Sequence, residues 1–103
     1  MKKKIAILGS TGSIGQNTLE VIKKDKKNFE ILLLSTNSNI KKIFKQAKEF
    51  KVKNIIVSNQ KKFKKLESKF KKSKINIYNS FDYIDKIFKN KKIDYTMVAI
   101  SGL

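Results

Sequence analysis

The sequence contains no cysteine, no histidine and no arginine among its 103 residues. Without cysteine, the chain has no disulfide bond, no thiol nucleophile and no thiolate metal ligand. Without histidine, it lacks the most common general base and the most common transition-metal ligand. The eight carboxylates show no paired spacing at predicted strand ends. The sequence therefore predicts no catalytic acid–base pair and no metal site in this chain.

Long apolar runs are also missing. The run Ile31–Leu34 is far shorter than the roughly 20 residues of a membrane span. The start Met1–Lys4 resembles the positive beginning of a signal peptide, but the apolar segment after it is short and ends at a glycine. We therefore expect no membrane partner and a cytoplasmic protein. No transit peptide is seen.

The charge is strongly positive, at +17, and all 25 basic residues are lysine. Such a charge favours non-specific binding to phosphates. The lysines are scattered over nearly every polar stretch, and arginine, the residue best suited to bidentate phosphate and guanine contacts, is absent. We therefore expect no specific nucleic-acid partner and keep a basic nucleic-acid-binding fragment as an alternative.

Three of the four glycines lie in one stretch, the glycine loop Gly9–Gly15, directly after the apolar run Ile5–Leu8. An amphipathic segment, Ile14–Ile22, follows. A buried strand, a glycine-spaced turn and a helix with free N–H groups form a unit that holds a diphosphate. A tight turn without a ligand is the alternative, and we favour phosphate binding. The residues predicted to bind are Gly9, Thr11, Gly12, Ser13, Ile14 and Gly15.

Two details of this unit can be predicted further. The helix should begin at Ser13 or Ile14 and bury a face formed by Ile14, Thr18, Val21 and Ile22. The hydroxyl of Ser13 either faces the ligand or caps the helix.

The rest of the chain alternates between strand and helix patterns. Further strands are predicted at Phe29–Ser35, Asn54–Ser58, Ile75–Tyr78 and Tyr95–Ile100, and helices at 40–50, 60–72 and 81–88, with Asn39 and Ser80 as N-caps. This order predicts an α/β fold, a Rossmann-like doubly wound parallel sheet of about five strands with helices on both faces. We expect the second and third strands on one side of the first, and the later strands on the other. The ligand should lie where that order reverses.

The second loop, Ser35–Asn39, follows the second strand and carries no carboxylate. Sites that select NAD usually place Asp or Glu there to hold the ribose 2′-hydroxyl. Hydroxyls, amides and a nearby Lys41 or Lys42 accept a 2′-phosphate instead. The loop therefore predicts NADPH rather than NADH, the alternative being that these are turn residues only.

The last strand leads into Ala99-Ile100-Ser101-Gly102. The carboxyl end of this strand should lie beside the glycine loop, where small residues let the backbone approach a nicotinamide. The alternative is an ordinary strand end without a ligand. Such an ending is normally followed by another ligand loop and helix. We therefore expect residues 1–103 to be one incomplete domain, truncated before the catalytic domain of a longer enzyme.

The stretch Lys4–Gly15, continued by Thr18–Ile22, resembles the start of the 1-deoxy-D-xylulose 5-phosphate reductoisomerase family. Phe29, the Asn39 loop, Gln46-Ala47 with Glu49-Phe50, and Ala99–Gly102 agree in order and spacing. The resemblance covers only the N-terminal NADPH-binding part of that family. Where the family usually has Ala-Gly-x-Asn, this chain has Thr36-Asn37-Ser38-Asn39.

The resemblance implies an NADPH-dependent oxidoreductase/isomerase of the non-mevalonate isoprenoid pathway. Its members convert 1-deoxy-D-xylulose 5-phosphate, a phosphorylated sugar, to 2-C-methyl-D-erythritol 4-phosphate as homodimers with Mg²⁺ or Mn²⁺. The metal ligands would lie outside this chain, so the chain alone should be inactive. The implied cofactor contacts are Thr11, Gly12, Ser13, Ile14, Asn37, Ser38, Asn39, Ala99 and Ile100. Another NAD(P)-dependent dehydrogenase and a non-catalytic dinucleotide-sensing module are the alternatives.

Overall fold

The structure, a computed structural model, describes residues 2–70, 74–89 and 93–99. The predicted alternation of strands and helices is confirmed. The strands are β1 (Lys3–Leu8), β2 (Phe29–Thr36), β3 (Asn54–Val57), β4 (Asn76–Tyr78) and β5 (Tyr95–Val98). The helices are α1 (Ser13–Lys23), α2 (Ile40–Phe50), α3 (Gln60–Phe70) and α4 (Ile84–Ile87), with 3₁₀ turns at Lys26–Asn28 and Phe81–Tyr83.

The five strands form one parallel sheet in the order β4-β3-β2-β1-β5. The prediction that all strands after the third lie beyond β1 was wrong, because β4 pairs with β3. The reason lies in α3, whose Leu66 packs with Phe44 of α2 and Val57 of β3. With right-handed crossovers, a helix on the face of α2 requires the next strand to continue outward. The order therefore reverses between β4 and β5.

Both faces of the sheet are covered at β1, β2 and β3, as predicted, whereas all four residues of β5 are exposed. On one face, Ile5, Ile7 and Ile55 pack against residues of α1 and α2 in the main apolar cluster. On the other face, Ala6, Leu33 and Ile56 pack against the apolar residues of α4. The continuous apolar runs of β1 and β2 are therefore buried on both sides, as expected for central parallel strands.

The predicted buried face of α1 was wrong except at Ile22. The helix buries Gly15, Leu19 and Ile22, whereas Ile14 is 62% and Val21 68% exposed. The predicted face and the observed buried face both recur at helical spacing. The close contact of Gly15 with the preceding loop decides which of the two faces is buried. The rotation of α1 is thus set by a backbone contact rather than by the apolar pattern.

The two predicted N-caps are confirmed, although one begins a different element. Asn39 Oδ1 accepts a hydrogen bond from the N–H of Lys42 at 3.3 Å and starts α2. Ser80 Oγ accepts from the N–H of Asp82 at 3.1 Å, but it caps a 3₁₀ turn that precedes the single-turn α4. The continuous helix predicted over 81–88 is therefore divided. No helix in the described ranges is long and apolar enough to cross a membrane.

Candidate functional site

A groove of about 460 Å³ crosses the carboxyl ends of the strands, where the strand order predicted a ligand. It brings the glycine loop, the second loop and the end of β5 together, although these segments are far apart in the chain. Its lining consists of Gly9, Thr11, Gly12, Ser35, Thr36, Asn37, Ser38, Asn39, Ser58, Phe81 and Ala99.

Gly9 and Gly15 give the glycine loop its shape. Gly9 has a φ of 84°, in the left-handed region that favours glycine. A Cβ at Gly15 would lie 2.3 Å from the carbonyl oxygen of Gly9 and 2.6 Å from Cα of Ser10. The first turn of α1 therefore rests directly on the loop backbone, and Gly15 is buried beneath the groove rather than lining it.

Gly12 has a different role, because it lines the groove and is exposed. A Cβ there would make only ordinary contacts, 3.7 Å from the Gly9 oxygen and 3.8 Å from the Ala99 oxygen. Gly12 is the N-cap of α1, so the alternative that Ser13 caps the helix was wrong.

The N-terminus of α1 is open toward this loop. The first helical bond donated from its backbone runs from Gln16 N–H to Gly12 O at 2.9 Å. Within the described part of the chain, no acceptor meets the N–H groups of Ser13 and Ile14, and no side chain caps the helix. Neither residue lines the groove; both follow Gly12, which does, at the end of the helix where the dipole favours an anion.

The glycine loop is tied to the end of β2 by hydrogen bonds. The N–H of Gly9 donates to Ser35 Oγ at 2.8 Å, and the hydroxyls of Thr11 and Thr36 lie 2.7 Å apart. The N–H of Asn39 donates to Thr36 Oγ1 at 3.2 Å. The two loops are therefore held at a fixed separation, and the hydroxyl of Thr11 contributes to that frame.

Residues 37–39 of the second loop are anchored to the end of β3 but keep their side chains exposed. Ser58 Oγ donates to Asn37 Oδ1 at 3.0 Å, and the N–H of Asn59 donates to the carbonyl of Asn37 at 2.9 Å. Asn37, Ser38 and Asn39 are all exposed. No lining residue of the groove carries a carboxylate. This end of the groove thus offers amides and a hydroxyl without negative charge.

Lysines beside the second loop supply positive charge. Lys41 lines an adjoining pocket with Ser38 and Asn39, and Lys62 and Lys65 of α3 line the same pocket. Lys42, the other residue considered for a 2′-phosphate, lies instead in a depression between α1 and α2. The geometry therefore separates the two lysines and favours Lys41.

Two residues of the predicted second loop have a different role. Ser35 and Thr36 were expected among the hydroxyls that accept a 2′-phosphate, but they end β2, are buried and hold the frame by hydrogen bonds. Ser58, which follows β3 and lines the groove, was missed by the sequence reasoning. Phe81 was predicted as the start of a helix over 81–88, but it begins the 3₁₀ turn after β4, lines the groove and is 37% exposed.

At the end of β5, the structure describes Ala99 and leaves Ile100 outside the described residues. The N–H of Ala99 donates to the carbonyl of Leu8 at 2.8 Å, and Ala99 lines the groove opposite the second loop. The described ranges contain no group of three or more acidic, histidine or cysteine side chains that could hold a metal ion. These residues do not fit the divalent metal implied by the resemblance, and no chemical step is assigned to a metal here.

The family model described as 1-deoxy-D-xylulose 5-phosphate reductoisomerase matches residues 5–103. The chain belongs to this family. The relative from Pelagibacter ubique (strain HTCC1062) is 54% identical over 101 residues, covering 97% of this chain and 26% of the relative. The relative from Thermotoga maritima is 38% identical, covering 98% of this chain and 25% of the relative. Both carry the name of the family.

Solved structures of reductoisomerases share the fold. The enzyme from Zymomonas mobilis in complex with NADPH has a TM-score of 0.82 at 25% identity, covering 97% of this chain and 26% of that one. A reductoisomerase in complex with NADPH, fosmidomycin and magnesium has a TM-score of 0.81 at 28% identity, covering 95% and 24%. The resemblance and the α/β fold are confirmed. The chain spans about a quarter of the length of the relatives that it matches.

Proposed function

We propose that this chain is the NADPH-binding portion of a reductoisomerase that converts 1-deoxy-D-xylulose 5-phosphate to 2-C-methyl-D-erythritol 4-phosphate. The observation that carries the proposal is the N-terminus of α1, which no side chain caps and whose first residue follows Gly12 of the groove. The second loop, on the same groove, has no carboxylate. Two solved relatives are described as complexes with NADPH. When bound, NADPH supplies the hydride for the reduction.

The diphosphate of NADPH would bind at the start of α1. The N–H groups of Ser13 and Ile14 are free to donate, and the helix dipole adds positive potential at the same point. Gly12 presents no side chain, so the phosphates can approach the backbone closely. This is the same division of roles among glycines that dinucleotide-binding loops use.

The adenosine half would bind at the second loop. Asn37, Ser38 and Asn39 offer amide and hydroxyl groups to the ribose and its 2′-phosphate, and Lys41 offers charge beside them. A carboxylate here would repel the 2′-phosphate, so its absence favours NADPH over NADH. Thr36 and Asn37 replace the usual Ala and Gly of the family pattern, so the proposed contacts of Asn37 and its neighbour Ser38 rest on the position of these residues in the groove rather than on the family pattern.

The nicotinamide half would extend toward Ala99 and Ile100 at the end of β5. Ala99 is small and its backbone borders the groove, which leaves room for a flat ring. The sugar phosphate and the divalent metal, Mg²⁺ or Mn²⁺, would be held by residues beyond this chain. The complete enzyme would work in the cytoplasm as a homodimer, in line with the family resemblance.

The test is a titration of the 103-residue chain with NADPH and with NADH, at low and at moderately high salt. We expect saturation at one equivalent, tighter binding of NADPH, and a binding curve that survives added salt. Attraction to the 25 lysines alone would give weak binding without fixed stoichiometry that disappears with salt. Equal or tighter binding of NADH would contradict the proposed cofactor.

A further inference from the structure

Gln46 of α2 is a buried amide that uses both of its polar atoms on one residue of the glycine loop. Its Oε1 accepts a hydrogen bond from Ser10 Oγ at 2.8 Å, and its Nε2 donates to the carbonyl of Ser10 at 2.9 Å. Gln46 is 8% exposed and does not line the groove. Two residues that lie 36 positions apart are thus joined by a two-point contact.

Ser10 is fully buried and is also held from its other side. Its N–H donates to the carbonyl of Ser35 at 2.9 Å. Its hydroxyl lies 3.3 Å from that carbonyl and 2.8 Å from Gln46 Oε1, and its single hydrogen is best donated over the shorter distance. Ser35 therefore binds the N–H of Ser10, and Gln46 binds the hydroxyl and the carbonyl of Ser10.

The position of Ser10 determines where α1 begins. A Cβ at Gly15 would lie 2.6 Å from Cα of Ser10, so the first turn of α1 packs directly against this residue. Any displacement of Ser10 moves the support beneath the N–H groups of Ser13 and Ile14. Because a binding site loses affinity when its donors are misplaced by small distances, this support matters to a ligand.

We infer that Gln46 is a positioning residue, which fixes Ser10 and thereby holds the start of α1 in the geometry that binds the cofactor diphosphate. The inference rests on the proposed binding of NADPH. Gln46 would touch no part of the cofactor and would act through Ser10 alone.

The chain offers a matched control for a purely structural role. Asn54 is a buried amide with the same 8% exposure. It begins β3 and so lies at the amino ends of the strands, whereas the groove lies at their carboxyl ends. Its Nδ2 donates to the carbonyl of Leu32 at 3.2 Å, and its Oδ1 accepts from Asn76 Nδ2 at 3.2 Å. Loss of either amide leaves buried partners unpaired and lowers stability. Only the loss of Gln46 should also lower affinity.

The experiment compares Gln46→Met and Asn54→Leu in the 103-residue chain. NADPH affinity is measured from its fluorescence at a temperature where each variant is folded, and amide hydrogen exchange is measured at Ser10. Both variants should have lower melting temperatures. Gln46→Met should raise the Kd for NADPH about tenfold, as lost outer-shell hydrogen bonds do at metal sites, and should speed exchange of the Ser10 amide. Asn54→Leu should change neither the Kd for NADPH nor the exchange of the Ser10 amide.

A double-mutant cycle with Ser10→Ala tests the connection. Ser10→Ala removes one of the two hydrogen bonds and should raise the Kd about threefold, less than Gln46→Met. The double variant should be no worse than Gln46→Met alone, because both changes break the same contact. Additive effects would contradict the inference. If Gln46→Met does not fold, an unchanged Kd in Ser10→Ala would overturn it.

The outcomes separate the inference from the proposed function. A Kd in Gln46→Met equal to that of the unchanged chain, with a lower melting temperature, would make Gln46 structural only. If the unchanged chain does not bind NADPH, the proposed function fails. Hydrogen exchange then decides whether Gln46 positions Ser10. Faster exchange at Ser10 in Gln46→Met alone would support it, and equal exchange in both variants would overturn it.

Discussion

The glycine loop and the second loop face the same groove but are built in opposite ways. In the glycine loop, Ser10 and Gly15 are buried, and the backbone is packed so closely around Gly15 that a Cβ does not fit there. In the second loop, residues 37–39 are exposed and held by a few hydrogen bonds to their neighbours. The packing of the glycine loop therefore shapes the groove, and under the proposed function the second loop would determine which dinucleotide the groove prefers.

The largest effect is expected from Gly15→Ala. The added Cβ would meet the backbone of Gly9 and Ser10, which cannot rotate away, so the loop or α1 must move. Overpacking of this kind costs about 3 kcal/mol of unfolding free energy. Urea unfolding would measure the loss. An unfolding midpoint equal to that of the unchanged chain would show that the close packing is not rigid.

Gly12→Ala should spare the fold and reduce binding. Its Cβ would make ordinary contacts with two carbonyl oxygens that border the groove, and alanine is a poorer N-cap than glycine, so stability should fall by about 1 kcal/mol or less. The methyl group would occupy the path of the diphosphate, and the Kd for NADPH should rise about tenfold or more. A comparison with Gly15→Ala separates ligand contact from packing. If the Kd is unchanged, the diphosphate does not bind at Gly12.

Asn37→Asp should alter the preference between dinucleotides without altering the fold. The carboxylate keeps the acceptor for Ser58 Oγ but repels a 2′-phosphate and can accept a ribose hydroxyl. The ratio of the NADH Kd to the NADPH Kd should fall about tenfold. Asn59→Asp is the control, because it adds the same charge at the next strand end, where its Oδ1 accepts from the N–H of Lys62. Equal effects of both variants would mean that net charge alone sets the preference.

The smallest effect is expected at the surface ion pair between α1 and α2. Lys23 Nζ lies 3.0 Å from Glu49 Oε1, and the hydrogen bond and charge of Glu49 raise the pKa of Lys23 above its usual 10.5. Because the pKa is higher in the folded state, the stabilisation is complete below pH 10.5 and is lost as the pH rises through the raised value.

Glu49→Gln should therefore lower the melting temperature slightly at neutral pH and not at all at strongly alkaline pH. Glu30→Gln, at another exposed glutamate, is the control for the loss of one negative charge. A difference between Glu49→Gln and the unchanged chain that persists at alkaline pH would show that the pair is not its source.

The sequence predicted the repeating pattern of the fold because strand and helix periodicity are local properties. It did not predict the side on which β4 lies, since that depends on the face of the sheet on which α3 packs. It also misassigned the buried face of α1. Ile14 and Val21 compete with Leu19 and Ile22 for burial, and the contact of Gly15 with the Gly9 carbonyl settles the choice.

The candidate site was predicted where it depends on local spacing and missed where it depends on packing. Gly9, Thr11 and Gly12 of the glycine loop, residues 37–39 and Ala99 line the groove, whereas residues 13–15 do not. Phe81 has the same apolar character as a core residue, and only the division of the last helix brings it to the groove. The contact between Gln46 and Ser10 joins distant segments, so no local pattern could reveal it.

The central claim is that NADPH binds at the open N-terminus of α1. The most direct measurement is the change in backbone amide chemical shifts of the isotope-labelled chain when one equivalent of NADPH is added. The largest changes should fall on Gly12, Ser13 and Ile14, followed by residues 37–39, and should saturate at one equivalent. Changes spread over the lysine-rich surface, with none concentrated at the start of α1, would contradict the claim.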